Sequence, residues 1–461
     1  MNLCIHGHFY QPPREDPISN YIPSEIGSEP FNNWNEKILA ECYEPNALAG
    51  NFGKISFNIG PTLLRWMTAE KPEIAQLIVE QERETFEHFG IGNGMAQSFH
   101  HTILPLATKE DKITQVYWGI SDFEMRFGHK PQGIWLPETA VDIETLCVLS
   151  DLGLKFTILA PWQIETPDDG KEGAYLIELP EGREPFVVFP YNRELSTMIS
   201  FIPESTSNGD KFLQIVREKT HGEENGLTFV ASDGELYGHH QVFRDKFLTY
   251  LLNSEEQNPD VRWSFPGLWL AENRVETKAR LHSPSSWSCF HGVQRWQKEC
   301  DCTPGADWKE PLFHSMRTIA DWLDGIYTEF MKSFVKDPSR FRNEYIRVYN
   351  GQMSLAELLD QEGSTSESAD NLAKIELMME AQVKRQCMFT SCGWFFDEFH
   401  RIEPQNNIAY AAMAVWLTEK ATGMVIPEQL LETLKEVRDK KTGLRADTVF
   451  TQTLLRAVNE A

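Results

Sequence analysis

Two carboxylates, each at the end of an apolar run, are the residues of this chain best placed to do chemistry. Ile134-Trp-Leu136 runs into Pro137-Glu138, and the helical pattern of Asp142, Leu146 and Leu149 starts at once. Leu227-Thr-Phe-Val-Ala-Ser232 runs into Asp233-Gly-Glu235, closed by Tyr237-Gly-His-His240. An acid at the carboxyl end of a strand, just ahead of a helix, stands where βα enzymes keep their catalytic groups. Two such acids bordered by Trp and His are the minimal set for cleaving a glycosidic bond. Taken singly, Glu138 could be a helix N-terminal acid favoured by the dipole, and the acids of Asp233-Gly-Glu235 could serve a turn. Their joint occurrence after two apolar runs argues against two caps.

Other candidates surround them. His6-Gly-His8 ends the first apolar run and precedes Gln11-Pro-Pro13. Such a pair can be half of a metal site in a barrel hydrolase, can donate hydrogen bonds to sugar hydroxyls, or can simply be satisfied by neighbouring backbone. Gly92-Asn-Gly-Met-Ala-Gln97 permits a tight turn ahead of Phe99-His100-His101. Ser285–Trp296 concentrates Trp287, His291, Arg295 and Trp296 where a plain linker would be polar, which suits a substrate wall or interdomain packing equally. Of the eight cysteines, Cys289, Cys300, Cys302, Cys387 and Cys392 cluster late in the chain but form no Cys-x-x-Cys pair. They could bind a metal, but without such a pair they read first as buried thiols of a reducing cytoplasm, and neither a metal nor a cofactor is expected.

The elements that must position these groups alternate up to about residue 280. Strands are expected over Leu3–His8, Lys54–Ile59, Gly133–Leu136, Lys155–Leu159, Phe186–Phe189, Thr228–Ala231 and Trp263–Leu270. Helices are expected over Trp34–Ala49, Pro72–Gln81, Asp142–Leu152, Asp210–Glu218 and Phe243–Asn253. A further helix starts at a Thr108/Asp111 capping box, carries Ile113, Val116, Ile120, Phe123 and Phe127 on one face and stops at Gly128. Such alternation implies a parallel sheet, as a barrel or an open doubly wound sheet. Beyond residue 280 only helical spacing recurs, as in Met316, Ile319, Leu323, Ile326 and Phe330, then Leu372, Ile375 and Met379, then Ile408, Ala411 and Val415. Gln361–Ser368 reads as an exposed loop. A barrel over residues 1–280 and a helical domain over 281–461 follow.

Composition narrows the partners. A net charge of −25 disfavours nucleic acid and anionic membranes and suits a neutral substrate. No apolar run approaches the ~20 residues of a membrane span, and the N-terminus enters a strand directly, so a cytoplasmic enzyme is expected. The aromatic content of 11%, with 13 Trp, fits sugar stacking as well as core.

These segments together resemble glycoside hydrolase family 57. His8-Phe-Tyr-Gln11-Pro12 is similar to the family's first motif, His-Gln-Pro, with two residues inserted. Trp135-Leu-Pro-Glu138 matches its third motif, and Asp233-Gly-Glu235 with Gly238 and His240 its fourth. The second motif usually ends in Glu-Ile, whereas here Gly92-Asn-Gly is followed by Met95-Ala-Gln97. The tail, with Ser286-Trp-Ser-Cys289 and Cys392-Gly-Trp-Phe-Phe-Asp397, looks like an uncharacterised extension of one subgroup. The resemblance implies a (β/α)7-type barrel followed by an all-helical C-terminal domain packed on its catalytic face. It implies a retaining hydrolase or transglycosylase of α-glucans, of amylase, 4-α-glucanotransferase or branching type, with Glu138 as nucleophile and Asp233 as general acid/base. Their carboxylates are then expected about 5–5.5 Å apart. His6, His8, Gln11, His101, Trp135, Arg193, Glu235, His240 and Trp287 are the substrate-binding candidates, and Trp287 or Trp296 is expected in the cleft wall. Two other readings stand beside it: a metal-dependent barrel hydrolase using His6 and His8, and a catalytically silent glucan-binding protein.

Overall fold

The computed structural model describes residues 1–167, 173–220, 226–363 and 368–460. They form two compact units. The first contains residues 1–11, 24–99 and 122–288 and is built on parallel strands. These are β1 (Asn2–Phe9), β2 (Ser56–Ile59), β3 (Gly94–Gln97), β4 (Gly133–Trp135), β5 (Phe156–Leu159), β6 (Phe186–Pro190) and β7 (Leu227–Asp233). Their order is β7-β1-β2-β3-β4-β5-β6, every neighbouring pair parallel. This is the expected (β/α)7-type barrel, and its last gap is drawn together without a ladder among the described residues. There Asn192 N donates to Phe229 O at 2.6 Å, and the Phe189 and Phe229 rings lie 6.1 Å apart.

Parallel strands place every carboxyl end on one rim. Along each strand alternate residues face the interior. Cys4, Phe156, Ile158, Phe189, Phe229 and Ala231 pack as an apolar plug. Towards the rim the same register turns polar: His8 lies opposite Asn58 on one side and Asp233 on the other. The interior thus carries chemistry only at its upper layer.

Several local expectations change. β3 was hidden by the two glycines at its entry. The expected strand Trp263–Leu270 is a two-residue strand, Arg262–Trp263, followed by a helix, Pro266–Glu272. Pro266 sits at the first helical position, where its missing N–H costs nothing. The expected helix Trp34–Ala49 contains a π-helical turn at Leu39–Tyr43, closed by Glu44 N bonding Leu39 O. Such turns commonly mark functional sites, and this one carries Tyr43 to the catalytic rim.

The second unit contains residues 12–23, 100–121 and 289–461, so it takes two segments from the first half of the chain. Its framework is helical: Lys309–Met331, Ala369–Cys387, Ile402–Thr422 and Ala446–Glu460. Of the loop expected over Gln361–Ser368, residues 364–367 lie outside the described residues. No described helix is long and apolar enough to cross a membrane.

This unit has an ionic centre. Thr108 Oγ1 accepts from Asp111 N at 3.1 Å, which is half of the expected capping box. The Asp111 carboxylate is taken by Arg385 at 2.9 Å and Gln386 at 2.9 Å. Arg342 lies 3.8 Å away, and Asp324 pairs with both arginines. Burial alone would raise the Asp111 carboxyl, but Arg385 and Arg342 hold it well below the usual carboxylate range. Asp111→Ala would leave Arg385, itself 1% exposed, short of a counter-charge. Urea titration is expected to show a loss of about 3–5 kcal/mol; a loss under about 1 kcal/mol would show that Asp324 suffices.

Candidate active site

Glu138 sits on the turn after β4 in a left-handed conformation, φ 58° and ψ 22°, and Thr139 follows at φ 48°. Non-glycine residues in this region cost of order 1–3 kcal/mol each and persist only where neighbours over-determine them. Here the neighbours come from residues 285–288. Val141 and Ser285 exchange backbone hydrogen bonds at 2.9 and 3.0 Å, and Trp287 N donates to Glu138 O at 3.1 Å. Gln163 clamps the same turn, accepting from Thr139 Oγ1 at 2.7 Å and donating to Thr139 O at 2.8 Å. The Glu138 side chain then receives Trp287 Nε1–H at 2.8 Å and Ser288 Oγ–H at 2.7 Å, both on Oε2. Two donors on one oxygen fix the carboxylate's orientation.

Asp233 ends β7. The residue is exposed, yet its carboxyl lies deep among protein atoms. Burial pushes it up to about 7, and the Glu138 charge adds to the rise. The two acids therefore sense one another, and Asp233 is poised to carry a proton near neutrality. Gly234 is required beside it, because a Cβ there would meet the Phe9 ring at 2.3 Å. Gly238, at φ 143°, lets the loop pass the Glu41 carbonyl, which a Cβ would meet at 2.1 Å.

Glu235 points away from this cleft. It is buried, accepting from Tyr10 N at 3.0 Å and Tyr43 Oη at 2.6 Å. Gln11 hydrogen-bonds Tyr43 in turn. Burial pushes Glu235 up to about 8, against the lowering effect of Tyr43. Direct sugar contact expected of Glu235 and Gln11 is thus replaced by a buried chain, Gln11–Tyr43–Glu235, that ties β1 to the Asp233 loop.

Both histidines of β1 are buried. His6 is fully buried, with Nδ1 at 2.9 Å from Ser56 Oγ and Nε2 at 3.1 Å from Asn58 Oδ1, and it stacks on Trp135 at 5.0 Å. Both of its nitrogens are committed, so it forms no ligand group with His8 and Asp233, and it lies too deep for a sugar. Trp135, 0% exposed, is likewise support rather than surface. His8 stacks on Trp135 at 4.7 Å and meets Trp287 edge-on at 6.4 Å. Asn58 Nδ2 reaches His8 Nδ1 at 2.9 Å and also donates to Gln97 Oε1 at 2.6 Å. His8 Nδ1 also lies 3.2 Å from Asn58 Oδ1, so the Asn58 amide holds this edge of the ring in either tautomer.

The remaining candidates spread along the rim. Trp287 is half-buried, 5.1 Å from Trp135 and 6.4 Å from Tyr191. Tyr191 meets Trp162 edge-on at 6.0 Å, and the exposed Arg193 guanidinium stacks over Trp162 at 5.3 Å. His240 is exposed beside His239, which pairs with Glu41. His101 belongs to the helical unit, buried at φ 54°, its Nδ1 2.6 Å from Ser391 Oγ. Trp296 is 1% exposed in that same unit and packs near Phe395, so its expected place in a cleft wall is withdrawn. Sequence reasoning missed Asn58, Gln97, Tyr43 and Ser288. Asn58 had one visible signal, a polar residue inside the apolar run Ser56-Phe-Asn-Ile59.

Trp287→Phe keeps the ring and removes the donor to Glu138. One charge-assisted hydrogen bond corresponds to about 1.5–3 kcal/mol, so kcat on a maltooligosaccharide is expected to fall about 10–100-fold. A sharp drop in Tm with unchanged kcat in the folded fraction would instead assign Trp287 to packing.

Comparison with known proteins identifies the family. Residues 6–267 match glycosyl hydrolase family 57, residues 306–459 match a domain of unknown function (DUF3536), and residues 268–305 lie outside both. An α-amylase of Pyrococcus abyssi is 23% identical over 236 residues, covering 48% of this chain and 33% of that protein. The chain thus matches about a third of the length of such relatives. An exo-type maltose-forming amylase from Pyrococcus sp. ST04 shares the fold at TM-score 0.70 and 15% identity, over 98% of this chain and 88% of that one. A GH57-type branching enzyme from Pyrococcus horikoshii does so at 0.62 and 15%, over 97% and 96%. The match spans more than half of the sequence and contains both acids: the chain belongs to glycosyl hydrolase family 57.

Proposed function

We propose that the chain is a retaining α-glycoside hydrolase or transglycosylase acting on α-glucans, with Glu138 as nucleophile and Asp233 as general acid/base. The observation that carries it is the pairing of a carboxylate clamped by two donors with a second one raised to about 7. Glu138 attacks the anomeric carbon while Asp233 gives its proton to the departing glycosidic oxygen, which breaks that C–O bond. Forming the glycosyl ester removes the Glu138 charge, so Asp233 becomes more acidic at the moment it must act as a base. It then takes the proton of water or an acceptor hydroxyl, whose oxygen displaces Glu138.

The His8 and Trp287 rings, Arg193 and His240 are the groups best placed on the rim to meet sugar. The α-glucan substrate is supported by the amylase and branching-enzyme relatives and by the strongly acidic surface, which suits a neutral polymer. None of the eight cysteines is paired in a disulfide, which suits a reducing, cytoplasmic setting. Product analysis after incubation with maltoheptaose tests the reading. Shorter chains mark hydrolysis, and both longer and shorter chains mark transfer. Complete inertness towards α-glucans would overturn it in favour of a silent binding protein.

A further inference from the structure

In the helical unit, Cys289, His291, Cys300 and Cys302 converge, with all four potential ligand atoms within 4.8 Å of one another. None belongs to the glycosidic machinery, and all lie in the stretch that neither matched family region covers. Cys289 Sγ is 3.9 Å from Cys300 Sγ, and Cys302 Sγ is 3.6 Å from His291 Nδ1. A disulfide would need about 2.05 Å. Tetrahedral zinc, with Zn–S of about 2.3 Å and Zn–N of about 2.0–2.1 Å, sets two sulfurs about 3.8 Å apart and a sulfur and a nitrogen about 3.6 Å apart. These two distances are those of a metal cage rather than of a cross-link, and the remaining ligand atoms lie within 4.8 Å.

We propose that these four residues form a closed, structural Cys3His zinc site. Its surroundings are those of such a site. Backbone amides of His291 and Arg295 are hydrogen-bonded to the Cys289 sulfur, and that of Cys302 to the Cys300 sulfur. His291 turns Nε2 towards Asp301 Oδ2 at 3.6 Å, the outer carboxylate that commonly orients a zinc-bound imidazole. Three thiolates around a divalent ion leave one negative charge. Positive groups flank it: Arg295 Nη2 donates to Cys302 O at 3.1 Å, and the buried Lys309 ammonium donates to Arg295 O at 2.9 Å. Gly292, at φ 78°, supplies the turn that folds His291 back. The two halves of the site are only the pairs Cys289-x-His291 and Cys300-x-Cys302, so zinc closes a loop with almost no secondary structure of its own. That loop begins at the residue after Ser288, one of the two donors to Glu138.

The test uses the full chain, produced with zinc in the medium and purified without chelator. Elemental analysis is expected to find about one zinc per chain that survives dialysis, and X-ray absorption at the zinc edge should show a sulfur-dominated shell. Cobalt substitution should give sulfur-to-metal charge-transfer absorption in the wild-type protein. His291→Ala and Cys302→Ser should reduce the bound zinc. If either variant fails to fold, the sulfur shell of the wild-type protein still decides. Three results would each overturn the proposal: no stoichiometric metal, a metal with a purely nitrogen and oxygen shell, or a Cys289–Cys300 disulfide in protein isolated without air. Because metal content is read apart from turnover, an inactive but zinc-loaded protein refutes only the glycosidase reading.

Discussion

Glu138→Gln is expected to lower turnover of maltooligosaccharides by ~10⁴-fold or more, the scale on which loss of a nucleophile acts, while Tm changes little. The side chain keeps its size, and an amide oxygen can still accept from Trp287 and Ser288. What disappears is the charge that attacks the anomeric carbon. Chemical rescue then separates the two acids. With Glu138→Ala, azide should attack the sugar directly and give a product of inverted anomeric configuration. With Asp233→Ala and an activated leaving group, azide should intercept the glycosyl-enzyme and give retained configuration, because two displacements have occurred. Rescue with the configurations exchanged would reverse the two roles. Undiminished turnover in Glu138→Gln would remove the mechanism altogether.

The pH dependence should be governed by Asp233. As the acid of the first step it must be protonated, so kcat/KM is expected to fall as pH rises through about 7. Asp233→Asn should abolish that limb along with most activity. In Glu138→Gln the Asp233 pKa should drop, since the Glu138 charge is one cause of its rise, yet remain above that of an ordinary carboxyl, since burial is the larger cause. Carboxyl NMR of labelled protein would show both. Stability carries the opposite signature to a salt-bridged acid. Asp233 and Glu235, raised to about 7 and 8, keep their protons in the folded state above the ~4 at which the unfolded chain releases them. Between those values the folded state binds more protons, so stability falls as pH rises through that window. Asp233→Asn and Glu235→Gln should therefore raise Tm relative to the wild type at pH 8 more than at pH 4. A Tm difference independent of pH would contradict the raised values.

Some of this was legible along the chain because it is local. An apolar run ending in an acid ahead of a helix needs only a dozen residues to be recognised, and Trp135-Leu-Pro-Glu138 and Asp233-Gly-Glu235 are of that kind. Parallel pairing then follows from alternation, and with it the shared rim of both acids. The helical second half was equally visible, since a 3.6-residue period is a property of one segment. Where a local signal had two meanings, packing decided. The apolar stretch after Trp263 became a helix because Pro266 opens one, and β3 forms despite its glycines because β2 and β4 flank it.

The sequence by itself thus determined the family, the barrel and the place of the two acids at strand ends, and the tertiary structure decided what surrounds those acids. Trp287 reaches Glu138 from 149 positions away and Tyr43 reaches Glu235 from 192, distances along the chain that no periodicity encodes. Register and contacts, rather than burial, separated His6 and Trp135, which only support, from His8, which lies opposite Asp233. The grouping of His291 with three cysteines depended likewise on a loop folding back on itself. Hydrogen bonds and desolvation act between side chains in space, so the residues that set orientation and pKa emerge only once the chain has closed around them.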